Sequence, residues 1–121
     1  MESTEIQIQT ALFQWANLSR GKYPELNLMY HVGNERKCSP AQGHRLKLAG
    51  VKSGVPDVCL PAARKGYHGL FIELKRDRTC KPSPEQTDWL NRLTAAGYFA
   101  TVCHGLDSAV RTIEWYLGGM E

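Results

Sequence analysis

The 121-residue chain lacks several features that would place it in a specialised class of protein. No apolar run approaches the roughly 18–20 residues that a membrane-spanning helix needs, and there is no internal repeat or low-complexity tract. The start of the chain shows no basic segment followed by an apolar one, as a secretory signal would. We therefore expect a cytoplasmic protein whose residues 1–121 form a single domain.

Close pairs of cysteine or histidine are also missing. The chain has four cysteines and four histidines, which are dispersed without a CxxC motif. Structural zinc sites normally show ligand pairs a few residues apart, so the sequence does not indicate one. We interpret the cysteines as reduced thiols in the core or at the surface.

Positive charge, by contrast, is concentrated in the middle of the chain. Residues 36–81 contain eleven Lys or Arg and three Asp or Glu, a net charge of +8, whereas the remainder carries −5. A concentrated basic segment suits a polyanionic partner. A solvated basic face would have the same composition, so charge alone leaves both interpretations open.

Hydrophobic spacing and turn residues predict alternating helices and strands. The predicted helices span residues 4–19, 40–49, 84–96 and 106–117, and the predicted strands span 26–32, 55–60, 70–75 and 98–103. Ser39 is placed to cap the second helix, and Ser83 and Gln86 to form a capping box at the third. A short turn between the second and third strands favours an antiparallel pair. The expected fold class is α/β (α+β), with a mixed sheet of about four strands flanked by helices.

Two carboxylates and a lysine occupy positions that suit phosphodiester chemistry. Asp57 and Glu73 lie 16 residues apart on the predicted antiparallel strands, where they could face each other. Oxygen ligands of this kind suit a hard cation such as Mg²⁺. Lys75 leaves the same face of its strand as Glu73, so its ammonium could orient an attacking water and stabilise developing charge. For so short a pattern, an ordinary surface ion pair between Glu73 and Lys75 is the simpler alternative.

Pro56-Asp57 followed by Glu73-Leu74-Lys75 resembles the core motif of the PD-(D/E)xK nucleases. More narrowly, the chain resembles the VRR-NUC (virus-type replication-repair nuclease) family over nearly its whole length. The segments that carry this resemblance are residues 5–9, 31–36, 46–57, 69–75 and 83–86. The resemblance implies a restriction-endonuclease-like core in the compact stand-alone form associated with bacteria and phages, and hence a location in the bacterial or host cytoplasm.

The resemblance also implies a phosphodiesterase that depends on Mg²⁺ or Mn²⁺. Asp57 and Glu73 would ligate the metal with help from the backbone carbonyl of Leu74. Lys75 would serve the attacking water.

Two further residues are implied with alternatives. An acid on the first helix would complete the metal site, directly or through water; Glu5 matches best, and Glu2 is the second choice. Glu5 could instead be a first-turn acid that complements the helix dipole. Gln86 matches a glutamine of the family, but it could equally serve only the capping box with Ser83. We do not expect one side-chain geometry to fill both roles of Gln86 fully.

The resemblance further implies a structure-selective DNA endonuclease that cuts branched DNA such as Holliday junctions as a homodimer, which is consistent with the two cuts that a two-fold protein could make. The candidates for phosphate contacts, which position DNA without reading its sequence, are Arg36, Lys37, Arg45, Lys47 and Lys52. One alternative is a non-specific or restriction-type nuclease of the same fold that cuts ordinary duplex. Another is a non-catalytic DNA-binding module, although buried acids near phosphate would repel DNA without a cation.

Overall fold

Helices and strands alternate along the chain in the computed structural model, which describes residues 2–33 and 39–118. In chain order the elements are α1 (Glu2–Leu18), a 3₁₀ helix (Pro24–Leu28), β1 (Tyr30–His31), α2 (Pro40–Leu48), β2 (Val58–Leu60), β3 (Leu70–Lys75), α3 (Pro84–Ala95), β4 (Phe99–His104) and α4 (Leu106–Tyr116). The predicted α+β class is confirmed. The four predicted α-helices are present, each within about two residues of its predicted ends.

The sheet has the strand order β1-β2-β3-β4 and is mixed. β2 runs antiparallel to both β1 and β3, with Val58 opposite Ile72, which confirms the predicted pairing. β3 and β4 are parallel, and α3 provides the crossover that a parallel pair requires. β3 is therefore an interior strand, and the residues it carries are held from both sides.

The hydrophobic core lies against one face of β3. Leu70, Ile72 and Leu74 are each at most 2% exposed and belong to the same buried cluster as α1 and α4 residues such as Leu12 and Ile113. Alternate residues of a strand point to opposite faces, so Phe71, Glu73 and Lys75 leave the other face. Within residues 2–33 and 39–118, no helix is long and apolar enough to cross a bilayer.

The predicted strand over residues 26–32 is largely wrong. Only Tyr30 and His31 are extended in a ladder, and Pro24–Leu28 form a 3₁₀ helix. Leu26 and Met29 are buried while Leu28 is 55% exposed, which is the three-residue spacing of a helical turn rather than the alternation of a strand. Asn27 donates from its side-chain amide to the Pro24 carbonyl at 3.0 Å, a local bond that competes with strand formation.

The second predicted strand begins later than expected, at Val58 instead of residue 55. Pro56 has no backbone N–H to donate to a ladder. Gly54 has a φ of +88°, and a Cβ there would lie 2.9 Å from the backbone carbon of Glu85. The segment before Asp57 is thus a tight turn packed against the start of α3, in a conformation that requires glycine.

Candidate active site

Asp57 is held by contacts from three directions just before β2. Its backbone carbonyl accepts the N–H of Val32 at 2.8 Å and a hydrogen bond from His31 Nδ1 at 2.9 Å. Its Oδ2 accepts the backbone N–H of Leu74 at 2.8 Å. The carboxylate is only 7% exposed. The first two bonds fix the Asp57 backbone beside β1, and the third ties its carboxylate to β3 next to Glu73.

Glu73 is a buried acid on the central strand, 1% exposed. Its Oε2 accepts a hydrogen bond from Gln86 Nε2 at 2.8 Å and lies 3.3 Å from the ammonium of Lys75. Its Oε1 is buried and has no hydrogen-bond partner. A buried carboxylate oxygen without a donor is costly to a fold, so this atom calls for an explanation.

The electrostatics of the pair favour a proton on Glu73. Burial in a low-dielectric environment, and next the negative charge of Asp57, raise the pKa of Glu73 from 4.5 to about 8; Lys75 offsets part of this. Two carboxylates so close cannot both ionise readily. Without a cation, therefore, Glu73 holds its proton to a higher pH than an ordinary glutamate does.

Lys75 lies on the same face of β3 as Glu73, as the alternation predicted. Its side chain is 12% exposed, so the ammonium reaches the site with its stem mostly buried. The simpler alternative of an ordinary surface ion pair does not describe this contact, because Glu73 is enclosed and Lys75 nearly so. A largely enclosed ammonium beside the Glu73 carboxylate is well placed to stabilise negative charge on a substrate.

Gln86 closes the capping box and also contacts Glu73, so one side-chain geometry makes both contacts, contrary to our expectation. Its Oε1 accepts the backbone N–H of Ser83 at 2.8 Å, and its Nε2 donates to Glu73. The Ser83 hydroxyl accepts the Gln86 N–H at 3.2 Å, which completes the capping box. The two ends of the amide point in different directions, so the cap orients the NH₂ group towards Glu73.

The carboxylate oxygens of Asp57 and Glu73 suit a divalent cation that prefers oxygen ligands. Two close carboxylates repel each other, and one oxygen lacks a donor; a bound Mg²⁺ would relieve both problems. Among residues 2–33 and 39–118, no three His, Cys, Asp or Glu side chains form a cluster that could hold a metal. Glu5 therefore does not join Asp57 and Glu73 in a three-acid group. The Glu2 side chain lies outside the described part.

Comparison with known proteins identifies the family of the chain. The VRR-NUC domain matches residues 3–107. The chain belongs to the VRR-NUC family. A solved structure described as a VRR-NUC domain protein is similar to it, with a TM-score of 0.80 and 33% sequence identity over 94% of this chain and 88% of that chain. No curated protein matches the chain.

Membership of the VRR-NUC family makes the chain a nuclease domain, and a nuclease domain implies DNA as substrate. Of the residues expected to contact phosphate, Arg45 and Lys47 lie on α2, which buries none of its side chains, and Lys52 is exposed in the loop that follows. Arg36 and Lys37 lie outside the described residues. The basic side chains that can be placed thus face solvent, as phosphate contacts require.

Two residues position the site of this VRR-NUC chain: His31, which the sequence analysis did not single out, and Ser83, which it predicted only as a helix cap. The His31 ring holds the Asp57 backbone; because a carbonyl can only accept, Nδ1 carries the proton. Ser83 orients Gln86 through its own backbone N–H. No local pattern signals the first contact, because the two residues are 26 positions apart. The capping-box spacing signals the second, but not what the free end of the glutamine touches.

Proposed function

We propose that the chain is a Mg²⁺- or Mn²⁺-dependent endonuclease that hydrolyses phosphodiester bonds in branched DNA such as Holliday junctions. The observation that carries the proposal is the buried pair of Asp57 and Glu73 with an unpartnered oxygen and a lysine beside it. A DNA-binding module without catalysis would gain nothing from such a pair, because two acids near phosphate weaken binding.

Asp57 and Glu73 would hold the cation, and the Leu74 carbonyl is proposed as a further ligand. The Leu74 N–H already binds the Asp57 carboxylate, which ties this stretch of β3 to the acid. Glu5, or Glu2 in its place, is proposed to act through water. When bound, the ion would supply positive charge against the phosphate oxygens and lower the pKa of water near it.

The other residues of the site would orient the reacting groups and stabilise the charge that develops during hydrolysis. Lys75 would place its ammonium beside the attacking water and the phosphate oxygens, where charge develops during hydrolysis. Gln86 would keep Glu73 Oε2 in place, because its amide is itself fixed by the cap of α3. Glu73, Lys75 and Gln86 therefore rest on β3 and α3, and Asp57 lies at the bend that leads into β2.

The proposed preference for branched DNA rests on shape and backbone contacts. The exposed basic residues Arg45, Lys47 and Lys52, together with Arg36 and Lys37, would hold phosphates without reading bases. A homodimer would supply two sites for the two cuts that a four-way junction needs.

The test compares cleavage of a four-way junction and a linear duplex of the same sequence at equal protein concentration, with and without Mg²⁺. We expect cleavage only with the cation and a clear preference for the junction. Lys75→Ala should lower the rate about 10²–10³-fold while DNA binding changes only a few fold, since binding depends on many basic contacts.

Each result separates the alternatives. Equal cleavage of both DNAs would contradict the proposed junction specificity and would indicate a duplex nuclease. Undiminished turnover by Lys75→Ala would remove its proposed role, and tight binding with no cleavage under any divalent ion would favour the non-catalytic module. Sedimentation of the junction-bound protein tests the dimer, which a single protomer per junction would exclude.

A further inference from the structure

An apolar groove of about 360 Å³ lies next to Asp57. Its walls include Val32, Val51, Val55 and the ring of Trp89, and Lys52 stands at the rim. The Trp89 indole N–H already donates to the Ser53 carbonyl at 3.1 Å, so the polar atom of that wall is satisfied. The groove therefore offers mainly apolar surface, with one cation beside it.

We propose that this groove receives a single unpaired base of the DNA, next to the phosphodiester that is cut. The inference rests on the proposed function and adds how branched DNA would be distinguished from duplex. A base has two flat apolar faces and is linked to phosphates, so it matches apolar walls with a lysine at the edge.

The distance to the proposed active site suits a neighbouring nucleotide. Val55 precedes Asp57 by two residues, which an extended chain spans in at most about 7 Å, and Val32 donates its N–H to the Asp57 carbonyl at 2.8 Å. Consecutive bases of a strand are about 3.4 Å apart when stacked, and unstacking lengthens that step. A phosphate at Asp57 and Glu73 thus leaves the adjacent base within reach of the groove.

The balance of binding strengths explains why the base must be unpaired. Contact of one base with an aromatic side chain strengthens binding about 5- to 150-fold. Flipping a base out of an intact duplex weakens binding by a comparable or larger factor. This cost is smallest where the base is already unpaired. A groove of this kind would therefore favour branch points and disfavour linear duplex, with no sequence being read.

The test is a thermodynamic cycle between the groove and the base. Val51, 36% exposed at the groove, is replaced in Val51→Ser, and an abasic site is moved through the three nucleotides on each side of the cut. Binding is measured with Mg²⁺ in the Lys75→Ala background, so that the DNA stays intact. Leu18→Ser, which alters an 88% exposed leucine at the end of α1, is the matched control.

At one nucleotide position we expect the abasic site and Val51→Ser each to weaken binding about fivefold, and both together no more than either alone, because they remove the same contact. Leu18→Ser and the abasic site should act independently, so that their combined fold-change in binding is the product of the two separate fold-changes. Independent effects at every position would overturn the proposal. So would a change in the sedimentation of Val51→Ser without DNA, which would assign the groove to contact between copies of the chain.

Wild-type cleavage of the same DNAs keeps the two proposals apart. If the wild type cuts DNA with Mg²⁺ but the cycle shows no coupling, the groove assignment alone is wrong. If the cycle shows coupling but the wild type cuts equally well without Mg²⁺, the base site stands and the metal-dependent mechanism is wrong.

Discussion

Raising the pH in the absence of divalent ions should destabilise the wild-type chain through Glu73. Burial and the charge of Asp57 raise the pKa of this carboxyl from 4.5 to about 8 in the folded state, and unfolding returns it to its ordinary value. The folded state thus binds the proton more tightly than the unfolded state. The protonated Glu73 side chain therefore contributes its full stabilisation below about pH 4.5, and this contribution is lost as the pH rises towards 8.

The size of the effect follows from the shift. One pKa unit corresponds to about 1.36 kcal/mol, so the whole interval is worth about 5 kcal/mol of unfolding free energy. Glu73 is 1% exposed, and screening by solvent therefore removes little of this value. A single domain is stable by about 5–15 kcal/mol in total. The loss should lower the melting temperature by roughly 20 °C, because about 2.1 cal/mol/K per residue gives this chain an unfolding entropy of about 0.25 kcal/mol/K.

Thermal unfolding followed by circular dichroism in EDTA, between pH 4 and pH 9, measures this loss. Glu73→Gln is the matched variant, because its amide resembles the protonated acid in shape and has no titrating proton to lose. The variant should show a flatter pH dependence and melt above the wild type at pH 9. All other titrating groups are shared, so the difference between the curves reports on Glu73. If the melting temperatures of the two proteins changed equally with pH, the placement of Asp57 and Glu73 as a buried acid pair would be refuted.

The remaining predictions address the cation, the cap and the basic surface. Asp57→Asn should abolish both cleavage and the rise in melting temperature that Mg²⁺ gives the wild type, about 2.7 kcal/mol at 100 times the Kd; an unchanged Mg²⁺ titration would contradict the proposed ligand. Gln86→Glu can still close the capping box but cannot donate to Glu73, so cleavage should fall at least about tenfold with the helix content intact. Ser83→Ala should instead lower stability by about 1 kcal/mol, seen as an earlier urea midpoint, and lose less activity than Gln86→Glu. Lys47→Ala should reduce the slope of log K against log salt by about one, equally for all DNA sequences; a sequence-dependent loss would indicate base reading.

Local patterns were sufficient for the elements that carry the site. The alternation of residues 70–75 predicted which side chains of β3 face the core and which face Asp57, because side-chain direction in a strand has a strict period of two. The proline and capping-box residues at 83–86 predicted the start of α3. Both signals depend on neighbours within four residues, which is why they survive in the folded chain.

Contacts between distant residues were beyond such patterns. Leu26 and Leu28 alternate like strand residues, yet burial of Leu26 with Met29 selected a 3₁₀ helix. The bond from His31 to the Asp57 carbonyl and the second bond of Gln86 arise only when the sheet and α3 pack. Spacing could place Asp57 opposite Glu73, but not reveal that one oxygen of Glu73 would be buried without a donor.

The unpartnered oxygen is informative because the surrounding structure is otherwise consistent. Among the described residues, Glu73 Oε1 is the buried side-chain polar atom that lacks a partner, in a strand whose neighbours are packed apolar residues. A glutamine at this position could donate to Asp57 and would relieve the repulsion, so stability alone does not account for a glutamate. Departures of this kind are expected at functional sites. The same repulsion that raises the pKa of Glu73 would strengthen the binding of a divalent ion, because the ion replaces the proton and neutralises both acids.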